Sequence, residues 1–270
     1  MIEIPGLEPR YREYLKRIEA FRLIDDDFMN ACFDKSPECA ELVLRILLDK
    51  PDLKVLDVRT QVTITNLGKR ALRLDVLATD DSGKMYNIEI QRDDRGAGKQ
   101  RARLHSSMLD AKWTEKGTKP EKMPETFVVF ITENDVLGRG LPVYHVERCI
   151  LECNEPFGDG AHILYANGAF RGDTPVGRLM HDFSCSSPSE MYYDVLANRA
   201  KFFKESEKGV VTMCKAMEDL YEEGIEKGIK KGRTEEKIQF ARQLLQMKNM
   251  SPEQIADFVG LPLEKVLTLC

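Results

Sequence analysis

Residues 73–91 read Arg-Leu-Asp-Val-Leu-Ala-Thr-Asp-Asp-Ser-Gly-Lys-Met-Tyr-Asn-Ile-Glu-Ile-Gln, and no other stretch restricts the fold as tightly. Two alternating runs flank Asp-Asp-Ser-Gly, which has the chemistry of a tight turn, so the pattern predicts a β-hairpin. Side chains alternate along a strand, which sets Leu74, Val76, Ile88 and Ile90 on an oily face. Arg73, Asp75, Glu89 and Gln91 fall on the other. With the turn centred on Ser82, Asp75 and Glu89 face one another across the hairpin. Two carboxylates at cross-strand distance repel unless a cation lies between them.

The flanking chain predicts what surrounds the hairpin. Arg10 to Phe33 is helical in pattern, with Asp25-Asp26-Asp27 able to cap and charge a helix start. Ser36-Pro37-Glu38 is a good N-terminus for a helix that carries Cys39, Leu42, Val43, Ile46 and Leu47 on one stripe and stops before Pro51. Glu38 flanks that stripe and Glu41 lies nearly opposite it. Val55 to Ile64 alternates as a half-buried strand, Asn66-Leu67-Gly68-Lys69 turns, and the hairpin completes an antiparallel meander. From Arg95 to Trp113 the period becomes helical. Ala97, Arg101, Leu104, Met108 and Ala111 fall near one side, and Arg95, Lys99 and Arg103 recur on another. Thr126 to Thr132 is an apolar, β-branched and aromatic run that suits a strand buried on both faces at the centre of the sheet. A further strand is expected at His162 to Tyr165. Strands interrupted by a helix predict an α/β fold, a mixed sheet covered by helices.

After Pro188 the pattern is helical. Gly224, Gly228 and Gly232, four residues apart amid Glu and Lys, suit either a flexible helical linker or a helix that lets a second backbone approach. A longer helix to Met247 and two short ones around Gly260 outline a helix-turn-helix, but the last offers Lys265 as its basic group, which favours packing over base reading. Residues 1–200 are therefore expected to form the main domain and 201–270 a helical extension.

The formal charge of −5 argues against a wholesale basic coat for nucleic acid, although a local basic patch can still grip phosphate. No basic-then-apolar leader opens the sequence and no apolar run approaches the roughly 20 residues that span a bilayer, so the cytoplasm is the expected compartment, with no membrane partner. Seven scattered cysteines point to reduced thiols rather than a disulfide framework. Cys149 and Cys153 have the spacing of one helix face and no second pair to complete a zinc site.

Two carboxylates able to hold Mg²⁺ or Mn²⁺ beside a basic helix are the equipment for hydrolysing a phosphodiester. Gln91 shares the face of Glu89 and can orient a water through its amide but carries no charge. Arg95, Lys99 and Arg103 are the candidate phosphate clamps on DNA. Arg73-Leu-Asp-Val-Leu-Ala, Tyr86-Asn-Ile-Glu-Ile-Gln-Arg92, Leu104 to Asp110, Phe130 to Asp135 and the Glu/Lys/Gly-rich helix together resemble the PD-(D/E)XK nuclease superfamily, within it the recombination-promoting nuclease and transposase group. The resemblance spans residues 25 to about 263 and implies a restriction-endonuclease-like core and a metal-dependent DNA endonuclease. It implies that Asp75, Glu89 and the main-chain carbonyl of Ile90 hold the metal. Gln91 stands at the usual lysine position, and Glu38, or else Glu41, supplies the acid of the first core helix. A catalytically weak or idle DNA- or partner-binding module on the same fold is the competing expectation. Double-strand cutting by a one-site subunit would further imply a homodimer through the C-terminal helices.

Overall fold

The computed structural model describes residues 10–65, 71–92, 94–114, 117, 119–247 and 249–269, with the backbone alone at 94 and 95. The turn expected at Asn66 to Lys69 lies outside the described residues. Three helices come first: α1 (Tyr11–Ala20), α2 (Asp26–Phe33) and α3 (Pro37–Leu48). The break between α1 and α2 is fixed by Asp25, whose carboxylate accepts the backbone N–H of Arg22. Proline begins α3 as expected. Its buried stripe is Cys39, Ala40, Val43, Leu44 and Leu47, whereas Leu42 and Ile46 are half-buried, because the helix packs on the sheet and on later helices at once.

The sheet begins with β1 (Val55–Thr65), β2 (Ala71–Asp80) and β3 (Met85–Gln91), an antiparallel meander as read from the sequence. Val76 faces Ile88 and Thr79 faces Met85, the register of a turn centred on Ser82. Asp80 fastens that turn. Its Oδ1 accepts the N–H groups of Ser82 and Lys84 and the Ser82 hydroxyl, its Oδ2 accepts the Tyr86 hydroxyl at 2.7 Å, and Gly83 takes the left-handed turn position at φ +82°.

Helix α4 (Lys99–Trp113) then crosses to β4 (Thr126–Thr132), which pairs parallel with β3 and is buried at every residue. Strand β5 (Val143–Val146), a short ribbon of β6 (Cys149–Ile150) with β7 (Glu155–Pro156), and β8 (Ala161–Asn167) follow. The six-stranded order is β1-β2-β3-β4-β8-β5, mixed in direction, with β4 near the centre as expected. Cys149 lies in β6 and Cys153 in the adjoining turn, both exposed and free, so they share no helix face. The chain then forms α5 (Pro175–Ser184), α6 (Asp194–Glu205), α7 (Glu207–Met247), α8 (Pro252–Val259) and α9 (Leu263–Leu267).

Both faces of the hairpin are covered. Leu74, Val76, Ile88 and Ile90 are buried as expected, but Asp75, Asn87 and Glu89 on the opposite face are buried too, because α4 lies across it. The inward face of α4 is Ala102, His105, Ser106, Met108 and Leu109, rotated from the stripe that the sequence suggested.

Two compact units divide the chain, residues 1–213 and 214–270. In the second, the end of α7 packs on α8 and α9 through Ala241, Ile255, Ala256, Val259 and Val266. Ser251 and Gln254 close a capping box at the start of α8, and Gly260 ends it in the left-handed region.

Candidate functional site

The β2–β3 ladder stops at Val76 and Ile88, one pair short of the acids. Beyond it, β2 stays with β1 as far as Ala71, while β3 stays with β4 as far as Gln91, so the strands separate along with their outer neighbours. Side chains close the gap. Glu89 Oε1 accepts the N–H of Asp75 at 3.2 Å, and Asp75 Oδ2 accepts the N–H of Ile90 at 3.0 Å. The two carboxylates that the sequence places opposite each other therefore meet at a fork in the sheet.

Their surroundings leave charge uncompensated. Glu89 is fully buried, and its Oε2 has no hydrogen-bond partner. Arg101 Nη2 stands 3.8 Å from that oxygen, too far for a hydrogen bond. Buried His105 brings Nδ1 to 3.4 Å from Glu89 Oε1 and 3.1 Å from Asn87 Nδ2, and stands edge-on to Phe130. Burial raises the Asp75 carboxyl above the ordinary carboxylate range, Glu89 and Asp26 push it further, and the Ile90 N–H and Arg101 offset part of the rise, leaving it at about 8. Asp26, in the first turn of α2, is also raised, by burial first and then by Asp27, with Glu89 adding to the effect and Arg73 and Asn30 opposing it. An ion-pair cluster closes the rim, where Asp25 holds Arg22 and Arg92, and Arg22 also reaches Glu133 at 2.9 Å.

A buried, unpartnered carboxylate oxygen beside a second crowded carboxylate fits a divalent cation, and an all-oxygen donor set suits a hard one. Among the described residues, no group of three or more His, Cys, Asp and Glu side chains stands together as a ready metal site. The fit therefore rests on the Asp75–Glu89 pair, with Asp26 acting on it through its field.

Several expected residues fall elsewhere. Glu38 is exposed at the start of α3, and among the described residues nothing joins it to either carboxylate. Glu41 is half-buried and occupied: it accepts the Val55 N–H at 2.9 Å and pairs with Arg45. The acid that reaches the pair electrostatically comes from α2 instead, because that helix approaches β2, the strand that carries Asp75. The amide of Gln91 rests against Gly96, where a Cβ would meet its Oε1 at 1.8 Å, and no hydrogen bond joins it to Asp75 or Glu89. Lys99 and Arg103 are exposed on α4, while Arg95 lies in the short 3₁₀ turn before it and its side chain is outside the described residues. Ile90 sits beside Asp75 through its N–H.

Asp26, Arg101, His105 and Asn87 were missed as site residues. Signals existed for two of them. Arg101 stood on a stripe of apolar residues where a cation requires a partner, and Asp26 stood in an acid run whose capping role needs only one member.

A mixed six-stranded sheet flanked by helices, opened at one end over paired acids, defines a restriction-endonuclease-like α/β domain. Residues 48–167 match the family described as PD-(D/E)XK nuclease family transposase, and the domain that they form is of that kind. This supports a nuclease-type or transposase-related function, that of a hydrolase acting on nucleic acid, in a family that generally uses divalent metal ions. No curated protein and no solved structure matches the chain. No helix among the described residues is long and apolar enough to cross a membrane.

Proposed function

We propose that the chain is a metal-dependent DNA endonuclease acting in recombination or transposition. The observation that carries this reading is the forked hairpin, which holds two buried carboxylates together and leaves Glu89 Oε2 without a partner. Asp75 and Glu89, with the main-chain carbonyl of Ile90, would hold Mg²⁺ or Mn²⁺. Asp26, in place of Glu38, supplies the third negative charge. The chemistry such an ion brings when bound is polarisation of the phosphoryl oxygen and a lowered pKa for the attacking water.

This chain's own residues do the rest. The N–H groups of Asp75 and Ile90 orient the two carboxylates, and α4 keeps bulk water from the inner side of Glu89. Exposed Lys99 and Arg103 give the outer face of α4 cations for the DNA backbone. Gln91 leaves the site short of a positive charge at the end of β3.

The decisive experiment incubates the purified chain with supercoiled plasmid and Mg²⁺. Wild type should nick or linearise the DNA, whereas Asp75→Ala and Glu89→Ala should not. Equal behaviour of the three proteins would sink the reading. The neutral Gln91 amide, turned onto Gly96, favours a second reading, a DNA- or partner-binding module without cleavage. Metal-independent DNA binding with no product would select it.

Cutting both strands with one site per chain calls for two copies. The surface assigned to that contact is α7 around Gly224, Gly228 and Gly232, where added Cβ atoms would meet open space and Ile225 and Ile229 are exposed. Light scattering across a concentration series tests it, and a monomer at all concentrations would remove it.

A further inference from the structure

The geometry points to Arg101 as the phosphate-binding cation of this site, the group that supplies the charge Gln91 lacks. The inference rests on the nuclease reading above and names a residue which that reading does not require. An anionic phosphodiester approaching Asp26, Asp75 and Glu89 meets three acids, so the site needs a cation close to the scissile bond. Gln91 cannot be that cation, and its amide is held against Gly96. Lys99 and Arg103 cannot serve either. Each is two residues from Arg101 on α4, about 200° around the helix from it, and among the described residues no ion pair joins either to Asp26, Asp75 or Glu89.

Arg101 is differently placed. Its Nη2 lies 3.8 Å from the buried Oε2 of Glu89, yet 43% of the side chain is exposed. One edge of the guanidinium faces the carboxylates and the remainder faces solvent. The separation from Glu89 exceeds a hydrogen bond, so the fork of donors is not consumed in a closed ion pair, and Glu89 Oε2 retains no partner of its own. A guanidinium held loosely beside a carboxylate can turn its planar donor edge to a phosphate without first breaking a bidentate pair. The same charge is felt at Asp75, on the other side of the fork.

The test uses the full chain and a fluorescein-labelled DNA duplex. Cleavage is followed in Mg²⁺ and binding, by anisotropy, in Ca²⁺, for wild type, Arg101→Lys, Arg101→Gln and the double variant Gln91→Lys/Arg101→Gln. Circular dichroism melts check that each variant is folded. Arg101→Gln should lower kcat about 100-fold, with a far smaller change in KM. Arg101→Lys should retain part of the rate. A lysine at position 91 should recover at least about tenfold in the Arg101→Gln background, which a merely structural arginine would not allow. A folded Arg101→Gln variant cleaving within about threefold of wild type overturns the assignment, as does the absence of recovery in the double variant. If wild type itself does not cleave, the nuclease reading fails, and binding in Ca²⁺ decides the assignment. An Arg101→Gln duplex affinity about fivefold or more weaker than wild type upholds a phosphate contact, and an unchanged affinity overturns it.

Discussion

Strand β2 carries one aspartate midway along it, where β3 parts from it, and another at its end, and the two are treated in opposite ways. Asp80, at the hairpin tip, accepts hydrogen bonds from two backbone N–H groups and two hydroxyls. Burial alone would raise its carboxyl, but the bonds from Tyr86, Ser82 and Lys84 outweigh that and hold it below the ordinary value. Asp75, five residues earlier, accepts one N–H, faces two other acids, and is pushed up. Around the tip the acids have partners as well: Glu125 takes Lys84 and His162, and His162 also reaches Glu147. One end of the sheet is built to be stable, the other to want a cation.

The largest expected effect is on activity. Asp75→Ala should reduce Mg²⁺-dependent cleavage about a thousandfold, roughly 4 kcal/mol of barrier, while the melting temperature of the metal-free protein, taken above pH 8 where Asp75 is ionised, holds or rises because a crowded charge is gone. A large loss of stability would erase the contrast between the two ends. Asp80→Ala should do the reverse: about 2–4 kcal/mol lost in urea unfolding, as a buried turn and the Tyr86 hydroxyl lose their acceptor, with cleavage retained at temperatures where the variant is folded.

Next comes pH. Asp75 has a folded value near 8, above that of the unfolded chain, so between about 4 and 8 the native state holds more proton than the unfolded one. Its contribution is therefore fully present below the unfolded value and is lost as pH rises toward 8. Asp80 is depressed, so its contribution is present above the unfolded value and lost as pH falls through the folded one. Melting curves should show the high-pH loss abolished in Asp75→Asn and reduced by Mg²⁺ in wild type, and the low-pH loss blunted in Asp80→Asn. The smallest effect separates the two candidate third acids. By calorimetry Asp26→Asn should weaken Mg²⁺ binding about fivefold, roughly 1 kcal/mol, whereas Glu38→Gln should leave it unchanged.

Much of this arrangement is legible in the sequence because it is local. The tip residues set the register, strict alternation sets the faces, and the apolar run at Thr126 to Thr132 marks the central strand. What needs tertiary information is less visible. Glu38 and Asp26 are both first-turn helix acids, and the approach of α2 to β2 separates them. The inward turn of α4 is likewise set by the sheet beneath it, which is why His105 is buried beside Glu89 although Arg101 and Arg103, just before it, are exposed. Strand β5 is four residues long and pairs only at the sheet edge, too short for its alternation to stand out. Helix α5 did carry a start signal, Thr174 accepting the Gly177 N–H ahead of Pro175.

At the fork, the amides of Asp75 and Ile90 are bonded to carboxylates rather than to strand carbonyls. Their proton resonances and exchange rates are thus tied to the ionisation of the acids and not to the ladder. An isotope-labelled sample should report cation loading at these two backbone positions while the tip amides of Ser82 and Lys84 stay still. Occupancy would then be read directly from the backbone, without DNA and without turnover.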